Sequence, residues 1–207
     1  ILKEMGKSMN FGLDYLVADK CKHLFGLRDM NMRIIQSDKG LLRKDSKNRS
    51  YVGNWVIDKK VSTYCMMDYF ENIGDIGKHK HLLSDDNPQL MYECLKIRLY
   101  DGLFMTSDNI QRNILVNDRN ELLSIDENDI FGKRKNIFNK HDICKKFPKE
   151  LFNKVMNDLL DNKDEKLRKI NRYLSKHGFD HIITPFKERF NTYESIVYKE
   201  VFTPLNI

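Results

Sequence analysis

Cysteine is scarce: Cys21, Cys65, Cys94 and Cys144 are the four in 207 residues, and each stands far from the next. Without close pairs there is no zinc-ribbon or redox-motif spacing. Four are also few for a disulfide scaffold of this size, so a reducing compartment is the simpler expectation. No apolar run approaches the ~20 residues needed to cross a bilayer, and the N-terminus lacks a signal-peptide pattern, which points to an intracellular, cytoplasmic protein. Repeats, low-complexity tracts and a Gly-rich phosphate loop are absent too. Gly6-Lys7-Ser8 ends like a P-loop, but Ile1 stands where the first glycine is required and no strand precedes it.

What is present describes a folded chain with an ionic surface. Hydrophobic residues make up 41% and charged ones 32%, which excludes disorder as the default. A mass of 24.6 kDa suits one large domain or two small lobes. The formal charge of +6 favours anionic partners: nucleotides, inositol phosphates, nucleic acid or a membrane surface. Lysine and arginine are spread along the chain, densest at Lys133-Arg134-Lys135 and Lys145-Lys146, whereas a nucleic-acid arm is usually more concentrated. The wealth of Lys, Asn and Ile suggests an AT-rich genome, viral or intracellular-bacterial.

Periodicity sets the order of elements. Residues 9 to 25 read as a helix closed by Gly26. Two short runs around Ser37-Asp38-Lys39-Gly40 read as a hairpin, and "VSTYCMMDYF" as a buried strand. Asn87 is expected to cap, and Pro88 to open, a long half-buried helix in which Met91, Leu95, Leu99 and Leu103 recur every four residues. "NILV" and "ELLSI", joined by Asn117-Asp118-Arg119-Asn120, form a second hairpin. The last third is helical, with apolar faces at Leu151 to Leu160 and Leu167 to Leu174, a stop at Gly178, and Pro185 ahead of an aromatic-rich final segment.

Chemistry concentrates in residues 107 to 128, "SDNIQRNILVNDRNELLSIDEN". Asn113 opens the first hairpin strand and Asp126 closes the second, so a tight hairpin brings them side by side. An amide oxygen with a carboxylate is a hard-oxygen site suited to magnesium on nucleotide phosphates. Asp108, just upstream, is placed to orient or deprotonate a hydroxyl. His79 and His81 read as a solvated loop, and Trp55 as local core.

This constellation resembles the catalytic core of the protein-kinase-like superfamily, which sets an Asp-x-x-x-x-Asn loop, a hairpin and a metal-binding Asp at these spacings. The layout is most similar to the atypical branch of phosphatidylinositol 3- and 4-kinases, over roughly residues 9 to 132. The resemblance implies an α+β kinase-like fold with a small mixed α/β N-lobe in residues 1–69, incomplete if the chain begins at Ile1. A mainly helical C-lobe in 70–207 would hold the catalytic loop 106–113, the metal-Asp segment 122–128 and a helical tail. It implies catalytic Asp108 and Arg112, magnesium ligands Asn113 and Asp126, and Glu127 tuning the metal. "YCMMDYFENIGDI" resembles the hinge between lobes, so Met67, Asp68 and Tyr69 would line the ATP pocket by backbone. Lys3 would grip the phosphates, paired with Asp14 or Asp19.

There are departures. Thr106-Ser107-Asp108 replaces His-Arg-Asp, Asn109-Ile110 stands where lipid kinases have Arg-His, and Glu127-Asn128 follows the metal Asp in place of Phe-Gly. Phe131-Gly132 is out of register. The activity expected is transfer of the γ-phosphoryl group of ATP to a hydroxyl of a protein or phosphoinositide-like substrate, with the basic run 133–135 near the head group. The alternatives are an inactive pseudokinase or nucleotide-binding interaction module, and a basic nucleic-acid-binding domain.

Overall fold

The structure, a computed structural model, describes residues 2–4, 9–37, 42–44, 55–57, 62–106, 111–125, 130–131, 137–138 and 142–202; for 2–4, 9–15, 34–37, 42–44, 55–57 and 62–66 it describes backbone alone. It is mixed α/β and mostly helical. In chain order the elements are β1 (Leu2–Glu4), α1 (Met9–Lys22), β2 (Arg33–Ser37), β3 (Leu42–Lys44), β4 (Trp55–Ile57), β5 (Ser62–Met66) and β6 (Gly74–Asp75). Then come α2 (Pro88–Phe104), β7 (Ile114–Val116), β8 (Leu122–Ser124), α3 (Lys149–Leu160), α4 (Lys163–Lys176) and α5 (Asp180–Phe202).

Three antiparallel strands in the order β1-β5-β2 make the first sheet, with Lys3 and Ile34 both opposite Cys65. The expected strand at "VSTYCMMDYF" is its central member. The hairpin expected around Ser37 to Gly40 is corrected: among the described residues β2 pairs with β5 and β3 with β4, not with each other. Turn-forming residues bend the chain, but the partner is chosen by which strands can bury a face together.

α1 runs into a 3-10 turn at His23–Phe25 and stops at Gly26, whose φ of +64° is the left-handed conformation that glycine adopts without strain. Its last turns, through Val17, Ala18, Cys21 and Phe25, share one core with the helices that follow. Tyr100 donates its hydroxyl to the Ala18 carbonyl at 2.5 Å, fixing α1 against α2.

α2 is the axis of that core. Pro88 opens it as expected, but Asn87 makes no side-chain cap. Nor is the helix half buried: every residue from Cys94 to Phe104 is enclosed, Lys96, Arg98 and Asp101 included. A ring of Phe25, Tyr100, Phe104, Phe186 and Phe190, in tilted and edge-on contacts with centroids 4.7 to 6.3 Å apart, packs around its C-terminal half. The four-residue apolar spacing described one face; α3, α5 and β8 cover the rest.

α3 and α4 bury the faces expected, and Gly178 (φ +78°) follows α4. α5 begins five residues ahead of Pro185 and runs through it, placing Phe186, Phe190, Tyr193 and Val197 in the core. Cys94 and Cys144, far apart in sequence, lie buried with sulfurs 3.9 Å apart.

Candidate functional site

The expected hairpin of β7 and β8 forms with Ile114 opposite Ser124 and Val116 opposite Leu122. Its turn is built by Asn117, whose side-chain oxygen accepts the backbone N–H groups of Arg119 (3.0 Å) and Glu121 (2.8 Å), while Asn120 takes φ +59°. The Asn117 amide also donates to Glu121 at 2.7 Å and, with Arg28 near, holds that carboxyl below the usual range. β6 adds a third strand, Gly74 opposite Val116.

At the open end, the Ile125 N–H donates to the Asn113 carbonyl at 2.8 Å. Asn113 closes a 3-10 turn, Gln111–Asn113, and is half buried; Arg112 beside it is exposed. The hairpin has two faces of different company. Ile114, Val116 and Leu122 enter the main core, while Leu123 and Ile125 meet a separate cluster of Met30, Met32, Leu16, Met67 and Phe70.

That cluster touches the hinge-like segment after β5. Asp68 donates its backbone N–H to the Met30 carbonyl at 2.9 Å, so this amide is engaged within the protein. Met67 is half buried, and Tyr69 is 73% exposed. An apolar face thus runs from β8 to Met67, with the backbone of residues 67 to 69 along its border.

Two buried charge networks, not expected from sequence, hold these parts. Asp19 is fully buried, and its carboxylate accepts the backbone N–H groups of Met30 (2.6 Å) and Met32 (3.0 Å). Lys22, one turn on, lies 3.9 Å from Asp19 and donates to the Ser124 carbonyl at 2.8 Å. Asp19 was a candidate partner for Lys3, whose side chain lies outside the described residues; the described partners of Asp19 are these. In the second network Arg98 and Asp142 form a fully buried ion pair, and Asp142 also accepts from the Cys144 N–H (3.0 Å) and from Gln111 (3.3 Å), which steadies the turn carrying Asn113. The one available signal was a charge at an apolar position: Asp19 and Lys22 flank Cys21, and Arg98 interrupts the rhythm of α2.

Asn113 is bonded to Ile125, and Ile125 and Met67 pack on the same apolar cluster, whose Met30 accepts the Asp68 N–H. Lys3 lies in β1 opposite Cys65, with only its backbone described. Asp108, Asp126 and Glu127 lie outside the described residues, as do Asp14's side chain, Gly132 and the basic run 133–135. Among the described residues no three His, Cys, Asp or Glu side chains gather into a metal site. His79 and His81 sit side by side on the surface, ring centroids 5.9 Å apart. Among the described residues no helix is long and apolar enough to cross a membrane. No family model, curated protein or solved structure matches the chain.

Proposed function

We propose that this chain is an atypical kinase-like phosphotransferase that moves the γ-phosphoryl group of ATP to a hydroxyl. The observation that carries the reading is the hairpin register: the Ile125 N–H is bonded to the Asn113 carbonyl, and Asp126 is the next residue in the chain. One residue step spans about 3.8 Å between Cα atoms, so Asp126 directly follows a residue bonded to Asn113, and the reading assigns their amide and carboxylate to one divalent ion.

The donor set fits magnesium, a hard cation that takes a few protein oxygens and the rest from phosphate and water. Magnesium, when bound, neutralises charge on the phosphates. Asp108 orients the acceptor hydroxyl and takes its proton, and exposed Arg112 faces the phosphoryl oxygens. The apolar cluster supports the adenine end of the reading, with the backbone of Met67 and Tyr69 along its edge; the Asp68 amide is spent on Met30. Lys3 sits on the strand paired with the one leading into this segment, which suits a phosphate-gripping lysine. The acceptor is a protein or phosphoinositide-like hydroxyl, in keeping with the net positive charge.

Incubation with γ-labelled ATP, magnesium and separate protein and phosphoinositide substrate pools tests the reading. The intact chain is expected to transfer label to one pool, and Asp126→Ala to lose about 100-fold or more of that turnover with an unchanged melting temperature. Near-normal turnover in Asp126→Ala would remove the mechanism.

A further inference from the structure

Gln89, Tyr92, Glu93 and Lys96 stand at i, i+3, i+4 and i+7 along α2, the spacing of one helix face. A polar stripe on a helix so deeply packed elsewhere calls for a polar neighbour. Its neighbour is a cavity of about 380 Å³, walled on the other sides by the end of α1 with the Gly26 turn and by Leu122 and Ser124 of β8. That volume lies in the range of small-molecule sites, about 300–1,000 Å³.

The two most enclosed charged side chains on its wall are both cations: Lys22, 1% exposed, and Lys96, 8%. The remaining charges are more open. Arg28 pairs with Glu121 at 3.2 Å, and Glu93 accepts from the Gln89 amide at 2.9 Å. Behind the wall, Asp158 accepts from Lys96 at 2.5 Å, and Asp19 lies 3.9 Å from Lys22, which donates to the Ser124 carbonyl. An ammonium has three N–H groups, and a single carboxylate oxygen is the described acceptor of Lys96. Space adjoins the same ammonium: a Cβ placed on Gly26 would stand 3.2 Å from Lys96 Nζ, with no other described atom within 4 Å outside its chain neighbours. Cations set in a low-dielectric wall act on an anion more strongly than the same charges on an open surface.

We propose that this cavity binds a small phosphate monoester carrying hydroxyl groups, a sugar phosphate in class, with its phosphate toward Lys22 and Lys96 and its hydroxyls toward Gln89, Glu93 and Glu121. A phosphate dianion matches two ammonium groups and the Arg28 fork better than a carboxylate, which has fewer oxygens and half the charge. The acids accept from hydroxyls and repel a second anionic group, so the ligand carries one phosphate. This site is separate from the phosphotransfer site proposed above. Leu122 faces the cavity while Leu123 meets the cluster of Met30 and Met32, so β8 stands between the two.

The test is calorimetric titration of the full chain with three monoesters, glucose 6-phosphate, ribose 5-phosphate and glycerol 3-phosphate, and with inorganic phosphate and gluconate. At least one monoester is expected to bind about 10-fold or more tighter than inorganic phosphate and gluconate. Lys96→Gln weakens that monoester by about 10-fold or more, the scale of a lost charged hydrogen bond. Lys169→Gln, the same charge change at an exposed position of α4, leaves it within about twofold. Equal weakening in both variants would show general charge attraction and overturn the site. Equal affinity for all five probes, or binding of none, overturns it too. Should Lys96→Gln fail to fold, Arg28→Ala, a change at a half-exposed side chain, decides in its place: weakening of about threefold or more supports the site, and unchanged affinity overturns it.

Discussion

Arg98 on α2 and Asp142, the residue that caps the 3-10 turn Ile143–Lys146, form an ion pair with both side chains shut off from water. Breaking such a pair from one side strands the other charge, at a cost of about 3–5 kcal/mol. Asp142→Ala also removes the cap on the Cys144 N–H, typically about 1 kcal/mol more. Denaturant unfolding of Asp142→Ala is expected to show a loss on this scale, and Arg98→Met combined with Asp142→Leu to recover a large part of it. A change within 1 kcal/mol, on the order of a surface pair, would contradict the burial of the pair.

Gly102 sets two effects against each other. Alanine in a helix interior is favoured over glycine by about 1 kcal/mol. A Cβ there, however, meets Ile137 Cγ2 at 2.5 Å and Tyr193 Oη at 2.6 Å, and Tyr193 is held by donating to the Leu99 carbonyl. Overpacking typically costs about 1–3 kcal/mol, so the clash wins or at least cancels the propensity. Gly102→Ala should lower the melting temperature by a few degrees. A rise would mean that the α2 and α5 contact is looser than described.

Lys96, at 2.5 Å, and Tyr92 both bond the half-exposed Asp158 carboxylate. Partial burial pushes this carboxyl up, but the bonds from Lys96 and Tyr92 outweigh it and hold it below its ordinary value of 3.8. A group depressed in the folded state contributes stability above its unfolded value, and that contribution is lost as pH falls through the folded value. Asp158→Asn should therefore be less stable than the parent near neutrality, with the difference shrinking as pH drops below 3.8. Unfolding measured across pH 2 to 7 checks this; a constant difference would contradict it.

Burial pushes the Cys21 thiol up to about 12, and Cys144 is also raised, by burial first and by Cys94 beside it. Thiolate is the reactive form. Iodoacetamide at pH 8 should leave Cys21, Cys94 and Cys144 unmodified in the native protein and label them on unfolding, read by peptide mass spectrometry. Rapid native labelling of any of the three would contradict their enclosure.

Much of the fold was legible wherever one local signal dominates. Gly26 ended α1, the apolar faces of α3 and α4 stood out, and the branched residues of "NILV" with the Asn117 turn specified the hairpin. Legibility failed where the deciding partner is distant. Asp38 to Gly40 advertised a turn, but the partner of β2 is β5, far beyond that turn in the chain and named by no local signal. Nothing singled out Arg98 and Lys96 for burial, because their counter-ions lie 44 and more residues away. Pro185 read as a boundary because its ring removes one helical hydrogen bond; the core aromatics on either side of that loss outweigh it.

The candidate site divides in the same way. Asn113 was visible from spacing, and the structure gives it Ile125 as backbone neighbour. Lys22 and Asp142 were not, and Asp19 was expected only as a partner for Lys3, because a side chain that holds distant backbone groups carries no sequence motif. Their partners became apparent only in three dimensions.

Thermal unfolding of the intact chain and of Asn113→Ala, each with ATP and with ATP plus magnesium, tests the central claim most directly. At 100 times Kd a ligand adds about 2.7 kcal/mol, several degrees for a chain of this length. The account predicts a magnesium-dependent rise in the intact protein that is mostly lost in Asn113→Ala, while the two unliganded forms melt within a few degrees of each other. An equal magnesium-dependent rise in both, or none in the intact protein, would contradict it.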